Sequence, residues 1–444
     1  MRRIYSTVAG IFLTAGIVCA QAPSHDDLEK SAKSGDAKAM NALGKLALRQ
    51  REPNLVEAAQ WFRKAVESGD ANAMAQLGRM YARGWVGPKN DEKAIELFRK
   101  SAEAGDGDGT ALLGQFYRDG RGGLTKDEKK AAEMFRQGAD MGSPIGMRSM
   151  GDACFRGIGV EKNLEMSTIW FHLAADAGDP DGMAALGNAY RAGYGGPKDI
   201  DQAAEWLKKA VDLGSIEAMN TLGALYQTGQ GVPRDLYIAL DLYRSAADLG
   251  EVHAMINVAW AYRDGRGVEK DLTQMVEWYR KSADGGFSSG MTNLGRALLD
   301  GTGTEKNYAE AFKLFHQAAD LGDSHGMHYL GVIYTRAYGV PRDYTEALKW
   351  FHKSADLGNA TAMNWIAFAY DQGRGVPIDY SEAVRWFRKS ADGNFADSIF
   401  QLGVHYFEGR GVDRDAEQGR KLIEKAAKAG LQNAKDWLAR QPQP

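Results

Sequence analysis

Small and apolar residues return along the chain on a fixed beat. A glycine or alanine, usually after a leucine, stands at Gly44, Gly78, Gly114, Gly151, Gly187, Gly223, Ala259, Gly295, Gly331, Ala367 and Gly403. The spacings are 34, 36 and 37, then 36 throughout. Five positions before this phasing residue the side chain is always small, from Ala39 to Ser398, and a methionine usually follows it. Three positions after it an aromatic recurs, as in Tyr81, Tyr262 and Tyr406. Offsets −5, −4, −1, 0 and +3 share one helical face, so each unit begins with a helix, A, whose small side chains admit a close neighbour. A second apolar run, seen in Ala203-Ala204-Glu205-Trp206-Leu207 and Ala347-Leu348-Lys349-Trp350-Phe351, predicts a helix B. A Gly-x-Gly loop such as Gly265-Arg266-Gly267 joins them, glycine supplying backbone with φ > 0. Asp or Asn twelve positions past the phasing residue, as at Asn90, Asp199 and Asp343, is placed to cap helix B. Helix B ends at glycine from Gly69 to Gly430, except at Asn394, the non-glycine residue that best tolerates the left-handed conformation.

Eleven such units fill residues 36–430, and neither helix pair can bury its faces alone. Leu28-Glu29-Lys30-Ser31-Ala32 before Gly35 reads as a lone helix B, and Leu431 to Arg440 as a lone helix A. The predicted fold is therefore all-α: one right-handed α/α superhelical solenoid of about eleven 36-residue helix-turn-helix repeats. Residues 21–35 form an N-terminal capping helix, and 431–444 a C-terminal capping helix and tail. The repeat also explains the composition, which holds 53 glycines among 444 residues but 11 prolines and no collagen period.

Charge and cysteine content narrow the partners. A net charge of −3 leaves no whole-chain footprint for nucleic acid. Two cysteines cannot build a disulfide framework. Arg2 and Arg3, the apolar run Val8 to Val18, and Val18-Cys19-Ala20 read as a signal peptide over residues 1–20, cleaved near Ala20. That run is too short for a stable membrane span, and Val18 argues against lipoprotein processing at Cys19. The mature chain is expected in the periplasm or outside the cell with one thiol, Cys154, which stands in the aromatic column and faces the core.

The full unit, A-x-x-L-G-x-x-Y-x-x-G-x-G-V-x-x-D-x-x-x-A-x-x-W-x-x-K-A-A-x-x-G, resembles the Sel1-like repeat, a relative of the tetratricopeptide repeat with a longer A–B loop. Lys208-Lys209-Ala210, Tyr279-Arg280-Lys281-Ser282-Ala283 and Trp386-Phe387-Arg388-Lys389-Ser390-Ala391 match its helix-B endings. The resemblance covers nearly all of the mature chain. It implies a scaffold or adaptor that holds partner proteins on a curved surface, and secreted bacterial members include regulators and host-interaction proteins.

Catalytic signatures do not compete with this reading. The string Gly286-Phe287-Ser288-Ser289-Gly290 follows helix B rather than the strand a nucleophile elbow needs, so it reads as a turn. A cysteine-rich branch of the family has been described as β-lactam-hydrolysing or penicillin-binding, but its cysteine pair per repeat and any Ser-x-x-Lys are absent here. No enzyme activity, cofactor or metal is expected. His325 and His328 are three apart on helix A with no third ligand evident, and read as surface histidines. The helix-B column Arg99, His172, Lys208, Arg244, Arg280, His316, His352 and Arg388 reads as a solvated outer face, with an anionic glycan or lipid headgroup as the sharper alternative.

By analogy with tetratricopeptide repeats, helix A lines the concave face, and offsets −6, −3, +1 and +4 point into it. The candidate partner-binding residues there are Asn188 and Arg191 in repeat 5, His253, Trp260 and Arg263 in repeat 7, and Arg296 in repeat 8. His328 in repeat 9, Asn364 and Phe368 in repeat 10, and Phe400 and Phe407 in repeat 11 complete the set. Polar residues dominate the first half, and large apolar ones gather towards repeats 7–11, the mark of an interaction patch unless superhelical closure buries those columns. Two functions follow: a periplasmic or secreted protein-binding scaffold, or a binder of envelope glycan or peptidoglycan through aromatic platforms and the basic line.

Overall fold

The structure, a computed structural model, describes residues 24–48 and 54–440. The leader expected at 1–20 and the last four residues of the expected tail lie outside the described residues. Those residues form 24 helices and no strand, in two compact units that divide between Leu213 and Gly214. The first unit holds α1 (His25–Lys33), α2 (Ala37–Leu48), α3 (Leu55–Glu67), α4 (Ala71–Arg83), α5 (Asp91–Glu103), α6 (Gly107–Asp119), α7 (Glu128–Asp140), α8 (Pro144–Arg156), α9 (Leu164–Asp176), α10 (Pro180–Ala192) and α11 (Ile200–Asp212). The second holds α12 (Ile216–Thr228), α13 (Leu236–Asp248), α14 (Val252–Asp264), α15 (Leu272–Asp284), α16 (Ser288–Asp300), α17 (Tyr308–Asp320), α18 (Ser324–Arg336), α19 (Tyr344–Asp356), α20 (Ala360–Gln372), α21 (Tyr380–Asp392), α22 (Ala396–Glu408), α23 (Ala416–Lys428) and α24 (Gln432–Arg440). Even-numbered helices are the A helices and odd-numbered ones the B helices. The lone B helix and lone A helix expected at the two ends are α1 and α24.

Side-chain caps set the helix starts. Asn90, Asp199, Asp271, Asp343 and Asp415 each accept a hydrogen bond from a first-turn backbone N–H of a B helix. Asp127 does the same for α7, one position late because the third repeat carries an extra residue in its loop. The A helices carry caps that the sequence pattern did not single out, at Asp70, Asp106, Ser143, Asp179, Glu251, Asp323 and Asn359. Only α16 and α22, among the described A helices with an assigned cap, begin at a phenylalanine and have no side-chain cap bond. Asn394 has φ 58°, the left-handed value expected of it.

The phasing column earns its glycines through packing. A Cβ at Gly78 would run into the Phe98 ring, and one at Gly331 into Phe351, so the aromatic of helix B lies flat on the backbone of helix A. At the second loop glycine the obstacle is the preceding repeat: a side chain on Gly267 would strike the carbonyl oxygen of Leu236 at the start of α13. Helices A and B are also tied by buried serines, with Ser101 donating to the Ala71 carbonyl at 2.7 Å and Ser354 to that of Ser324 at 2.6 Å. The B helices α3 to α9 in the first unit and α13 to α23 in the second each pack between two A helices, and α4, α6, α8 and α10 in the first unit, and α16 and α18 in the second, also touch A helix to A helix. Each unit is thus an α-solenoid with consecutive helix pairs as its only building block.

Candidate interaction surface

The A–A packing changes the meaning of the columns taken to be free. Offset −3 points into the seam between successive A helices, so Ala184, Ile256, Thr292, His328 and Asn364 are buried. His328 is 8% exposed, with its ring 5.2 Å from Tyr329 and 5.8 Å from Phe351. Burial, with the neighbouring His325, pushes its pKa down to about 4. His325 stays exposed near Asp323, so the two histidines do not face a common site. Asn364 is also 8% exposed and accepts a hydrogen bond from Ser398 at 2.7 Å.

The aromatics of the last repeats are packing residues as well. Phe368 stands edge-on to Phe387 at 5.3 Å, and Phe407 edge-on to Trp437 of the capping helix α24 at 4.9 Å. Phe400 and Phe368 are half-buried against the same core. His328, Asn364, Phe368, Phe400 and Phe407 therefore do not form an exposed patch: the faces they share with neighbouring helices take them up. Of the candidate residues in the second unit, those that remain open are polar or amphipathic. Trp260 is 39% exposed with Arg263 over its ring at 5.9 Å; His253 is exposed beside Glu251 at 2.9 Å; Arg296 is half-buried. In the first unit Arg191 is exposed and Asn188 half-buried.

Most of the basic line on helix B is engaged within the protein. Arg244 donates to the Tyr262 hydroxyl at 2.8 Å and Arg388 to that of Tyr406 at 2.9 Å, each reaching the aromatic column of the following repeat. Where that column holds Leu298, Arg280 turns instead to Glu310 at 2.8 Å. His316 and His352 stand edge-on to Trp350 and Trp386. The lysine one position further on caps the tryptophan of its own helix: Lys209 lies 4.1 Å above Trp206 and Lys353 4.0 Å above Trp350. Cys154 is buried, and burial pushes its thiol pKa up.

The first unit carries a different A-helix face. A polar ladder crosses successive helix starts: Asn41 donates to Asp70 at 2.9 Å, Asn72 to Asp106 and Asp108 at 3.2 and 3.0 Å, and Ser143 to Asp108 at 2.5 Å. Arg148, from offset −3 of α8, donates to Asp179 at 2.7 Å and lies 3.9 Å from Asp181. Burial works against the Arg148 cation, but Asp179, Asp181 and Asp152 outweigh it and raise the pKa. Burial raises the carboxyls of Asp152 and Asp179 as well. Next to this pair is a cleft of about 120 Å³, walled by Arg79, Arg83, Arg121 and Arg148 over Leu112, Phe116 and Ile145. Burial and the like charges of Arg83 and Arg148 depress the Arg79 pKa despite Asp108 and Asp181. Arg79 and Arg148 occupy the columns +1 and −3 already singled out in later repeats, so reading those columns through repeats 2 to 4 was the signal that could have found this cleft.

These features agree with the comparisons. The Sel1 repeat matches eleven times, at residues 37–70, 71–106, 108–143, 144–179, 180–215, 216–251, 252–287, 288–323, 324–359, 360–395 and 396–431. A protective antigen present in uropathogenic Escherichia coli strains, with an SLR fold, is 31% identical over 93% of this chain and 88% of its own, at a TM-score of 0.57. A Sel1 repeat protein from Oxalobacter formigenes is 28% identical over 59% of this chain and 99% of its own, at a TM-score of 0.51. No curated protein matches the chain. Among the described residues no helix is long and apolar enough to cross a membrane. Eleven consecutive matches, the helix-pair packing and the likeness to solved Sel1 structures lead to one conclusion: the chain belongs to the Sel1 repeat family, whose solenoid is a protein-interaction scaffold fold.

Proposed function

We propose that the protein is a non-catalytic scaffold of the periplasm or the cell exterior, binding partner proteins on the open parts of its A-helix faces. The observation that carries this reading is the contrast in side-chain engagement. Most of the helix-B basic line is spent on tyrosines, tryptophans and a glutamate of the protein itself. The A helices still offer Arg79 and Arg83 in one unit and the exposed Trp260 in the other. A glycan or peptidoglycan ligand held by the basic line would have to displace those contacts, so the scaffold reading is favoured. The leader supports a location outside the cytoplasm, as does likeness to a protective antigen of a pathogen.

The test is site-specific photo-crosslinking in the native cell envelope, with the photoreactive residue placed at Trp260, at Arg83 or, on the outer face, at Lys208. Discrete protein adducts at the two A-face positions and none at Lys208 are expected. Adducts at Lys208 alone, or retention of the chain on envelope glycan that salt abolishes, would overturn the reading. N-terminal sequencing checks the location: the mature chain should begin near Gln21, and cytosolic material retaining Met1 would refute it.

A further inference from the structure

We propose that the arginine cleft of the first unit takes carboxylate side chains from an extended acidic segment of a partner polypeptide. The proposal deepens the scaffold reading and rests on it. Its first support is an imbalance of partners. Of the four guanidinium groups on the wall, Arg121 is held bidentate by Asp91 at 3.1 and 2.5 Å, and Arg148 is held by Asp179 at 2.7 Å. Arg79 has only a neutral hydrogen bond, to Gln76 at 3.2 Å, and Arg83 lies over the Trp85 ring at 4.7 Å. Among the described residues neither makes an ion pair with a carboxylate.

The second support is the position of Arg79. It is half-buried, so its guanidinium has given up part of its hydration, and a cation in that position without an anion is unfavourable. The charges that act on it are Arg83 and Arg148, of like sign, and Asp108 and Asp181, which make no ion pair with it. Asp108 is already occupied by Ser143 and Asn72. An incoming carboxylate would supply the missing charge in the bidentate form that guanidinium groups favour.

Size and sign select the ligand. A cleft of about 120 Å³ admits a side chain rather than a folded surface. Its apolar floor, Leu112, Phe116 and Ile145, suits the methylene groups of a glutamate. The side chains that line it bring four cations and no anion, so a carboxylate matches it in sign.

The experiment is calorimetric titration of the mature chain with a twelve-residue peptide of four Glu-Ser-Gly units, blocked at both ends, and with its Gln counterpart. The Glu peptide should bind and weaken steadily as salt is raised, and the Gln peptide should not bind. Arg79→Gln and Arg83→Gln should each weaken binding about tenfold, with Arg83, which is exposed, serving as the variant that leaves folding untouched. Lys208→Gln on the outer face should change nothing. Equal binding of the two peptides, an equal loss in Lys208→Gln, no effect of either arginine variant, or tighter binding of a ten-residue uridine RNA would each overturn the proposal. Crosslinking at Trp260 reads the scaffold function separately: adducts there with no peptide binding would remove the acidic ligand and leave the scaffold.

Discussion

The two units use one backbone plan and weight the same columns differently. In the first, offsets −6 to +4 of the A helices carry Asp108, Gln115, Arg148, Asp152 and Asp181, and the face is held by a hydrogen-bonded ladder and the Arg148–Asp179 pair. In the second, the same offsets carry Ile256, Leu299, Val404 and three phenylalanines, and rings stack through the core, as Phe315 on Tyr329 at 4.9 Å and Phe351 on Trp365 at 5.5 Å. These columns are therefore seams between successive repeats before they are surface. A unit that fills them with apolar bulk stiffens its seams; a unit that fills them with charge keeps a wet face able to take a ligand.

The comparison can be broken most directly in the apolar unit. Phe387 is fully buried and meets both Phe368 and His405. Phe387→Ala should cost about 3–5 kcal/mol, read as a lower urea midpoint; a loss below about 1 kcal/mol would mean that the seams there do not depend on aromatic packing. Next is acid. His328 titrates near pH 4 when folded against 6.5 when exposed, so the unfolded chain binds more protons between those values. Stability from this group is complete above pH 6.5 and falls by about 3 kcal/mol as pH drops towards 4. His328→Phe should flatten that part of the profile; an unchanged slope would place the acid sensitivity elsewhere. Asp152 in the first unit works in the opposite sense, since a raised carboxyl pKa makes the folded state the better proton binder.

A smaller effect tests the polar unit. Arg148→Leu leaves Asp179 without its cation, and half-buried charge without a partner should cost about 1–2 kcal/mol by chemical denaturation. No loss would show that the polar face rests on its apolar floor. Smallest is a gain. Ala337 ends α18 with φ 60°, where most other A helices end at a left-handed glycine. Ala337→Gly should raise stability by about 0.5–1 kcal/mol, the relief of a left-handed alanine less the added freedom of the unfolded chain. An unchanged melting temperature would mean the turn relaxes around the methyl group.

Much of this is legible in the sequence. The phasing glycines, the helix-B caps and the left-handed Asn394 follow from local chemistry, because capping and φ > 0 are decided within a few residues. The candidate surface was less legible. Trp260 stands in the open, while Phe368, Phe400 and Phe407, from columns of the same pattern, pack against neighbours, Phe387 and Trp437 lying against two of them. The pairing of Arg244 with Tyr262 left a trace in the sequence, since Arg280 meets a leucine where the tyrosine would stand.

The sequence by itself determined the repeat, its helix pair, its caps and its eleven copies, since each depends on spacing within a unit of about 36 residues. Only the tertiary structure decided which side chains of helix A are free. That depends on how closely the next A helix approaches, a distance set by every small residue and every aromatic in the seam together. Periodicity reports which face a residue occupies; burial of that face is a property of two helices, and one helix's pattern does not contain it.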